Sequence, residues 1–228
     1  MRLLLICLLA ATTLSAQTAP AKIPDFSGYW ELRMDSFSVP RATLTPAAQT
    51  GEAEAAKRDL DAIRRCQPMG VPGLMLDRPV LNLQQSAGAI GMVPKGPASV
   101  RYIYFDGRPH PPADEWEGAT NGHSIGKWEG DTLVVDTIGF NDRGITSIPG
   151  GGWRTAGSKL TERYRLVVNG LVLSVQSTWE DAKVFAKPHT YELRYYKVNQ
   201  IVEPRTHNCL GNDAERTKFL APAAVLVR

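Results

Sequence analysis

The sequence predicts a mainly β fold, an antiparallel β-barrel with one helix in the N-terminal half of the chain. Two observations predict it. Most of the chain from residue 99 to residue 207 consists of short runs of alternating apolar and polar residues, separated by turn residues. That pattern is typical of antiparallel strands. One stretch, residues 47 to 65, is instead rich in Ala, Glu, Lys and Arg, which favour a helix.

The N-terminus has the features of a secretory signal peptide. Arg2 precedes an apolar run that ends at Leu14, and small residues follow. The run is too short to span a membrane as a mature helix. We expect cleavage after Ala16, a short tether over residues 17–24 and a single domain over residues 25–228, in a secreted or periplasmic protein.

Charge and cysteine content limit the possible partners and cross-links. The chain has 26 basic and 23 acidic residues, and loss of Arg2 leaves 25 against 23, a net charge of +2. This small excess, without a Lys/Arg block, does not indicate nucleic acid, so we expect a small-molecule partner. Cys66 and Cys209 remain after the signal peptide is removed. In an oxidising compartment they predict one disulfide, with two buried free thiols as the alternative.

The N-terminal elements are read in order. Residues 28–32, with a Gly-x-Trp sequence, predict a first strand typical of lipocalin-like barrels. Thr45-Pro46 is typical of an N-cap followed by Pro at the first helical position, so the spacing predicts one helix over 47–65. The segment at 66–79, with three prolines and two glycines, is predicted to be an ordered loop.

The clearest local structure is a hairpin at KLTERYRLVVNGLVLSVQSTWED. Asn169-Gly170 between two alternating runs is a strong hairpin signal. A two-residue turn pairs Val168 with Leu171 and places Glu162 opposite Ser177, on an otherwise apolar face. Glu162 therefore points inward, and two interpretations stay open: a salt bridge to an inward Arg, or a site carboxylate.

Two further segments have the strand pattern. SIGKWEGDTLVVDTIGFND predicts a hairpin that turns near residues 129–131. HTYELRYYKV alternates, so Tyr191 lies on the same face as His189. A lone inward histidine is more often a satisfied core residue than a catalyst, and both interpretations of His189 stay open.

The segment YIYFDGRPHPP, residues 102 to 112, contains the strongest candidate site. An acid, a guanidinium and an imidazole, Asp106, Arg108 and His110, fall within five residues after a strand-like aromatic run. Prolines flank His110, which fixes φ there and removes two backbone donors. A stiff loop at the end of a strand can hold catalytic side chains in place.

We assign chemical roles to these residues. His110 is predicted to be the main proton carrier because histidine titrates near neutral pH, with Asp106 to orient it. Arg108 is predicted to bind a carboxylate or enolate oxygen. Asp106 shares a strand face with Tyr104, so we expect both to point inward, into the pocket that also holds Glu162.

The other candidates come from elsewhere in the chain. The loop at 141–158 contains several glycines and is predicted to be a flexible lid over the barrel mouth, with Trp153 as its apolar contact. We expect no cofactor and no metal: the four histidines form no H-E-x-x-H motif, although a site assembled from distant histidines stays open. The predicted catalytic residues are His110, Asp106, His123 and Glu162, and the predicted substrate-binding residues are Arg108, Tyr104, Asp136, Trp153, His189 and Tyr191.

Three long blocks resemble a known family. YFDGRPHPP, GHSIGKWEGDTLVVDTIGFND and LTERYR are similar to blocks of secreted, largely uncharacterised bacterial proteins. DFSGYW, CQPMGVP and DAKVFAKPHT extend the resemblance over roughly residues 25 to 212. The resemblance implies a lipocalin-like barrel and no transferable mechanism. The chain departs from the family at residues 150–158, where relatives have a histidine, and at residues 210–212, where they have Asn-Glu-Asn.

The sequence leaves three functions open. The first is an enzyme of the lyase, dehydratase or isomerase type, which does cofactor-independent acid–base chemistry on a small organic molecule in the barrel. The second is a non-catalytic carrier of lipocalin type, in which the Asp-Gly-Arg-Pro-His turn is a structural corner whose charges pair among themselves. The third is a secreted interaction module with a filled barrel.

Overall fold

The computed structural model describes residues 23–33, 39–65, 67–76, 80–94 and 100–199. Within them, nine strands form one closed barrel, and three helices lie between its first two strands. The strands are β1 (Gly28–Leu32), β2 (Leu81–Gln85), β3 (Ala89–Pro94), β4 (Arg101–Tyr104), β5 (His123–Glu129), β6 (Thr132–Ile138), β7 (Lys159–Val167), β8 (Val172–Glu180) and β9 (His189–Val198), and the helices are α1 (Pro46–Gln49), α2 (Glu52–Arg64) and α3 (Gly70–Leu76).

The predicted fold class, a mainly β barrel with little helix, is confirmed. Each strand pairs with the next one in the chain, and β9 pairs with β1 to close the barrel. One described pair departs from the antiparallel prediction: β4 and β5 are parallel, with Ile103 opposite Ser124. Neighbouring parallel strands cannot be joined by a tight turn. Residues 105–122 therefore form a connection from one end of the barrel back to the other, which we call the crossover strap.

The predicted hairpin of β7 and β8 is confirmed in its register. Glu162 lies opposite Ser177, as the sequence predicts. Asn169 and Gly170 have φ of +52° and +81°, the positive values that a two-residue primed turn needs. Ladder pairing stops at Val167 and Val172, one pair before the predicted limit, because Val168 also adopts a positive φ, of +51°. The β5–β6 hairpin, which turns at residues 130–131, is confirmed as well.

The predicted single helix is broken in two. Thr45 caps α1 as expected, accepting a hydrogen bond from Ala48 N at 3.2 Å. The chain breaks at residues 50–51, where a Cβ on Gly51 would come within 2.5 Å of the Trp153 ring. Glycine at position 51 thus leaves room for the Trp153 ring at the junction of α1 and α2.

The segment predicted to be a loop after α2 contains the short helix α3, whose buried residues pack into one end of the barrel. Met75 shows this position: its carbonyl accepts a hydrogen bond from Tyr195 Oη at 2.5 Å, and its sulfur lies 3.8 Å from Arg101 Nη1. α3 thus closes part of the barrel end. No helix among the described residues is long and apolar enough to cross a membrane.

The described interior of the barrel is filled by side chains. Trp30, Trp179 and Val135 are fully buried, and Tyr164 and Tyr195 are 1% exposed. The inward face also holds a charged pair, described below. These inward-facing side chains form the core of the protein, and an open groove lies on the outer side of β4, where Tyr102 is exposed.

The loop between β6 and β7 is pinned in place. Asp59 of α2 accepts hydrogen bonds from Thr146 N at 2.8 Å and from Ser147 N at 2.9 Å. Arg154 donates to the carbonyl of Val71 at 2.6 Å and to those of Asn141 and Arg143. Burial lowers the pKa of Arg154 to about 10. The prediction of a flexible lid is therefore wrong.

The glycines of this loop adopt backbone conformations that are strained for other residues. Gly150, Gly151 and Gly152 all have positive φ, from +79° to +116°, which other residues adopt only with strain. Trp153 packs against the core and Gly51. The two cysteines of the predicted disulfide, the signal peptide and nearly all of the tether lie outside the described residues.

Candidate functional site

An open groove lies on the outer face of β4 and β5, beneath the crossover strap. Its volume is about 630 Å³, within the range of small-molecule sites. The side chains that matter for its chemistry come from β4, the strap and the start of β5. They are Tyr102, Tyr104, Arg108, His110, Trp116 and His123.

Strand β4 determines which side chains reach the groove. Arg101 is 1% exposed and Ile103 is fully buried, whereas Tyr102 is 53% exposed. The aromatic face thus points out, and Asp106, which continues it, is exposed. The predicted inward orientation of Asp106 and Tyr104 is wrong, because Arg101 on the opposite face pairs with Glu162 inside the barrel.

The Asp-Gly-Arg turn is held by its own charges. Asp106 accepts hydrogen bonds from Arg108 Nε at 2.9 Å and from Nη2 at 2.5 Å, and it also accepts from the Arg108 backbone N–H. These hydrogen bonds lower the pKa of the Asp106 carboxyl. The Arg108 guanidinium lies over the Tyr104 ring, 4.0 Å from its centroid. The charges of this turn therefore pair with each other, as the structural-corner interpretation expects, and Arg108 also lines the groove.

The strap brings two histidines together. His110 Nδ1 and His123 Nδ1 are 2.8 Å apart, a hydrogen-bond distance. On its other side, His110 Nε2 lies 3.4 Å from Asp136 Oδ2. Asp136 is on the outward face of β6 beside β5, and Lys159 of β7 lies 3.2 Å from its other oxygen. Asp136 therefore contacts His110, His110 contacts His123, and His123 lines the groove.

This geometry restricts where protons can be. A hydrogen bond between two Nδ1 atoms needs one donor and one acceptor, so His110 and His123 share a single proton at this contact. His110 Nε2 is buried, which turns both nitrogens of His110 away from the groove. His123 Nε2 has no hydrogen-bond partner among the described residues and belongs to a groove-lining side chain.

The surroundings of His123 favour its neutral form. Burial lowers the pKa of His123, and the charges of His110 and Arg108 lower it further. The rings of Tyr104 and Trp116 lie 5.7 Å and 5.4 Å from the imidazole. Trp116 is fixed because its indole N–H donates to the Gly139 carbonyl at 2.7 Å.

Glu162 is not part of the groove. It is 1% exposed and pairs with both terminal nitrogens of Arg101. Tyr164 Oη donates to it at 2.8 Å, and Arg101 also donates to Ser124 and Thr137. The interpretation of Glu162 as a salt-bridge partner is the one that this network supports. Burial opposes the charge on Arg101, yet Glu162 raises the pKa of that guanidinium above its ordinary value.

Three more predicted site residues lie away from the groove. His189 is 4% exposed and its Nε2 lies 2.6 Å from the Pro149 carbonyl oxygen, so it is a satisfied core histidine. Burial lowers its pKa. Tyr191 is also buried and accepts a hydrogen bond from Trp179 Nε1 at 3.2 Å. Trp153 packs in the β6–β7 loop.

Some contributors to the site have only weak sequence signals. Trp116 follows a Pro-rich loop, with no strand pattern to orient it. Lys159 alternates outward on β7, but its contact with Asp136 depends on the β6–β7 register. Within the described residues, no three His, Cys, Asp or Glu side chains are arranged to hold a metal ion.

No protein-family model matches the chain, and no curated protein matches it. The resemblance to the secreted bacterial family therefore stays a prediction. A functional proposal for this chain rests on the geometry of its groove.

Proposed function

We propose that the protein is an acid–base enzyme that moves a proton on a small organic molecule held in the outer groove, as a lyase, dehydratase or isomerase does. One observation supports this most directly: the Nδ1 atoms of His110 and His123 are 2.8 Å apart, and Asp136 lies behind His110. The arrangement forms a proton chain that starts at a carboxylate and ends at the groove.

The Asp136–His110–His123 proton chain can exist in two forms that differ by one proton. In the acid form, His110 carries protons on both nitrogens, donates Nδ1–H to His123 and is stabilised by Asp136. His123 then carries its proton on Nε2. When Nε2 gives this proton to a substrate, the shared proton moves from His110 to His123 Nδ1. The base form has one proton on each histidine, and the reverse steps restore the acid form.

This scheme changes the roles that the sequence predicts. His123 is the catalytic residue, because its Nε2 has no hydrogen-bond partner among the described residues and belongs to a groove-lining side chain. His110 Nε2 also has no hydrogen-bond partner there, but it is buried, 3.4 Å from Asp136 Oδ2. His110 is a positioning residue and relay that keeps the positive charge next to Asp136. Every proton site in the scheme belongs to the chain itself.

The test is proton exchange at carbon. The protein is incubated in D₂O with a panel of small carbonyl and hydroxy acids, and loss of C–H signals is followed by ¹H NMR. We expect catalysed exchange by the wild type and a rate lower by about 10² or more for His123→Gln. His110→Gln should lower the rate less and alter its pH profile, because the relay is lost while His123 Nε2 remains.

Lys127→Gln is the matched control. Lys127 lies on the outward face of β5 four residues after His123 and is exposed, but it does not line the groove. This variant should exchange protons at the wild-type rate. Equal rates for the wild type and a folded His123→Gln, or no exchange across the panel, contradict the proposal. Ligand binding without exchange would instead favour the carrier function.

A further inference from the structure

We infer that the groove takes a carboxylate with a flat, conjugated body, such as an aromatic acid; this inference rests on the proposed function and names its substrate class. Two independent features of the groove lead to it. One is a row of aromatic rings, and the other is a guanidinium whose orientation is fixed by the protein.

The rings form a row along the groove. Tyr102 and Tyr104 have centroids 6.1 Å apart and planes 18° apart, and Tyr104 and His123 are 5.7 Å and 25° apart. Tyr102, at the outer end, is 53% exposed. An exposed aromatic ring beside a row of nearly parallel rings offers a flat surface on which a conjugated ligand gains stacking that a puckered one does not.

Arg108 provides the second feature. Asp106 occupies its Nε and Nη2, and Tyr104 covers a face of its guanidinium. Nη1 has no hydrogen-bond partner among the described residues and is the remaining edge for a carboxylate oxygen. The side chain is held before any ligand arrives, which lowers the entropic cost of binding. Asp106 reduces the net charge here, so recognition depends on the directed N–H groups.

The charges named around the groove sum to zero in the acid form of the histidine pair, so an anion would be recognised by the directed N–H groups of Arg108 and not by a net positive charge. Asp136 is matched by Lys159 and Asp106 by Arg108. The acid form of the histidine pair adds one positive charge, and Glu115 adds a negative one at the rim. A carboxylate on Arg108 would place the conjugated body beside Tyr102 and His123, because the Arg108 guanidinium itself lies over the Tyr104 ring.

Three ligands separate the contribution of the aromatic row to binding from that of the Arg108 guanidinium. Benzoate has both ring and charge, cyclohexanecarboxylate has the charge without the flat ring, and benzyl alcohol has the ring without the charge. Binding is measured by saturation-transfer NMR and isothermal titration. We expect benzoate to bind at least about ten-fold more tightly than either of the others.

Variants assign each preference to a side chain. Arg108→Gln should remove the preference for benzoate over benzyl alcohol, with Arg108→Lys restoring only part of it. Tyr102→Ser should remove the preference over cyclohexanecarboxylate, and Tyr102→Phe should keep it. Near-UV circular dichroism checks that each variant folds, and Lys127→Gln should bind as the wild type does. Equal binding of the three ligands by the wild type, or no benzoate binding, overturns the inference.

The result is separable from that for the proposed function. His123→Gln should lose proton exchange but keep the preference for benzoate over benzyl alcohol, because that preference is assigned to Arg108. Exchange on acids without a flat body, together with no preference for benzoate, would overturn the substrate class and leave the acid–base function standing. The expected ligand preference with no exchange on any acid would overturn the acid–base function alone.

Discussion

At the scale of single residues, Arg101 and Glu162 form a charged pair buried inside the barrel. Both side chains are 1% exposed, and a buried charge without a partner is costly. Arg101→Met should therefore lower the free energy of unfolding by about 3–5 kcal/mol, because Glu162 is left without its partner. Urea unfolding at neutral pH measures this change.

The double variant Arg101→Met/Glu162→Gln is the matched comparison. It removes both charges, and the new side-chain amide can still accept a hydrogen bond from Tyr164, which donates to Glu162 at 2.8 Å in the wild type. We expect the double variant to recover most of the stability lost in Arg101→Met. A double variant no more stable than Arg101→Met would contradict this explanation, because the unpaired charge of Glu162 would then not be the source of the loss.

The same pair shows what residue patterns can and cannot predict. The inward orientation of Glu162 follows from the hairpin register, which is local. Its partner does not, because alternation in VRYIY is compatible with either face pointing inward. The aromatic face of β4 resembles a core face, yet in the structure Arg101 points inward to Glu162 of β7 and the tyrosines point out.

At the scale of elements, the β6–β7 loop depends on glycine at one close approach. Gly150 has φ +86°, and a Cβ there would lie 2.2 Å from the Pro40 carbonyl and 2.8 Å from His189 Nε2. Gly150→Ala must therefore move backbone as well as adopt a strained φ. We expect a loss of about 3 kcal/mol or more in the free energy of unfolding.

Gly170→Ala is the control for the strain alone. Gly170 has φ +81°, with nothing within 4 Å of an added Cβ. It should cost about 1 kcal/mol, from the positive φ. Thermal and urea unfolding of both variants separate the close contact from the strain. Equal losses in the two variants would mean that the loop shifts freely, contrary to its pinned position.

Elements defined by neighbouring residues are predictable, whereas those defined by distant contacts are not. The strands β7, β8 and β9 follow from alternation and from Asn169-Gly170. The contact between Gly51, at the junction of α1 and α2, and Trp153 joins residues about a hundred positions apart, so it cannot be predicted from neighbouring residues. The crossover strap is not predictable either, because turn residues do not show that β4 and β5 are parallel. The path of the strap brings His110 to His123.

At the scale of the whole molecule, the two described histidines with lowered pKa values link stability to pH. Burial lowers the pKa of His189 and that of His123, where the charges of His110 and Arg108 add to the effect. In the unfolded chain both histidines have a pKa of about 6.5. Just below that pH the unfolded state binds more protons than the folded state, so stability falls as the pH falls.

We therefore expect the free energy of unfolding to be nearly constant above about pH 7 and to decrease as the pH falls from about 6.5 to 5.5. The carboxyls with shifted pKa values, such as Asp106 and Glu192, are shifted downward, so their contribution is lost only at lower pH. Each histidine can contribute a slope of at most about 1.4 kcal/mol per pH unit. Urea unfolding at pH 7.5, 6.5 and 5.5 measures the sum.

His189→Gln shows how much of the decrease in the free energy of unfolding below pH 6.5 comes from His189. Its Nε2 lies 2.6 Å from the Pro149 carbonyl oxygen, and an amide can donate to the same acceptor without titrating. The variant should keep the plateau above pH 7, at somewhat lower stability, and show a shallower decrease below pH 6.5. The slope that remains then belongs chiefly to His123. A wild-type stability that rises between pH 6.5 and 5.5 would contradict this assignment, because it requires folded-state pKa values above those of the unfolded chain.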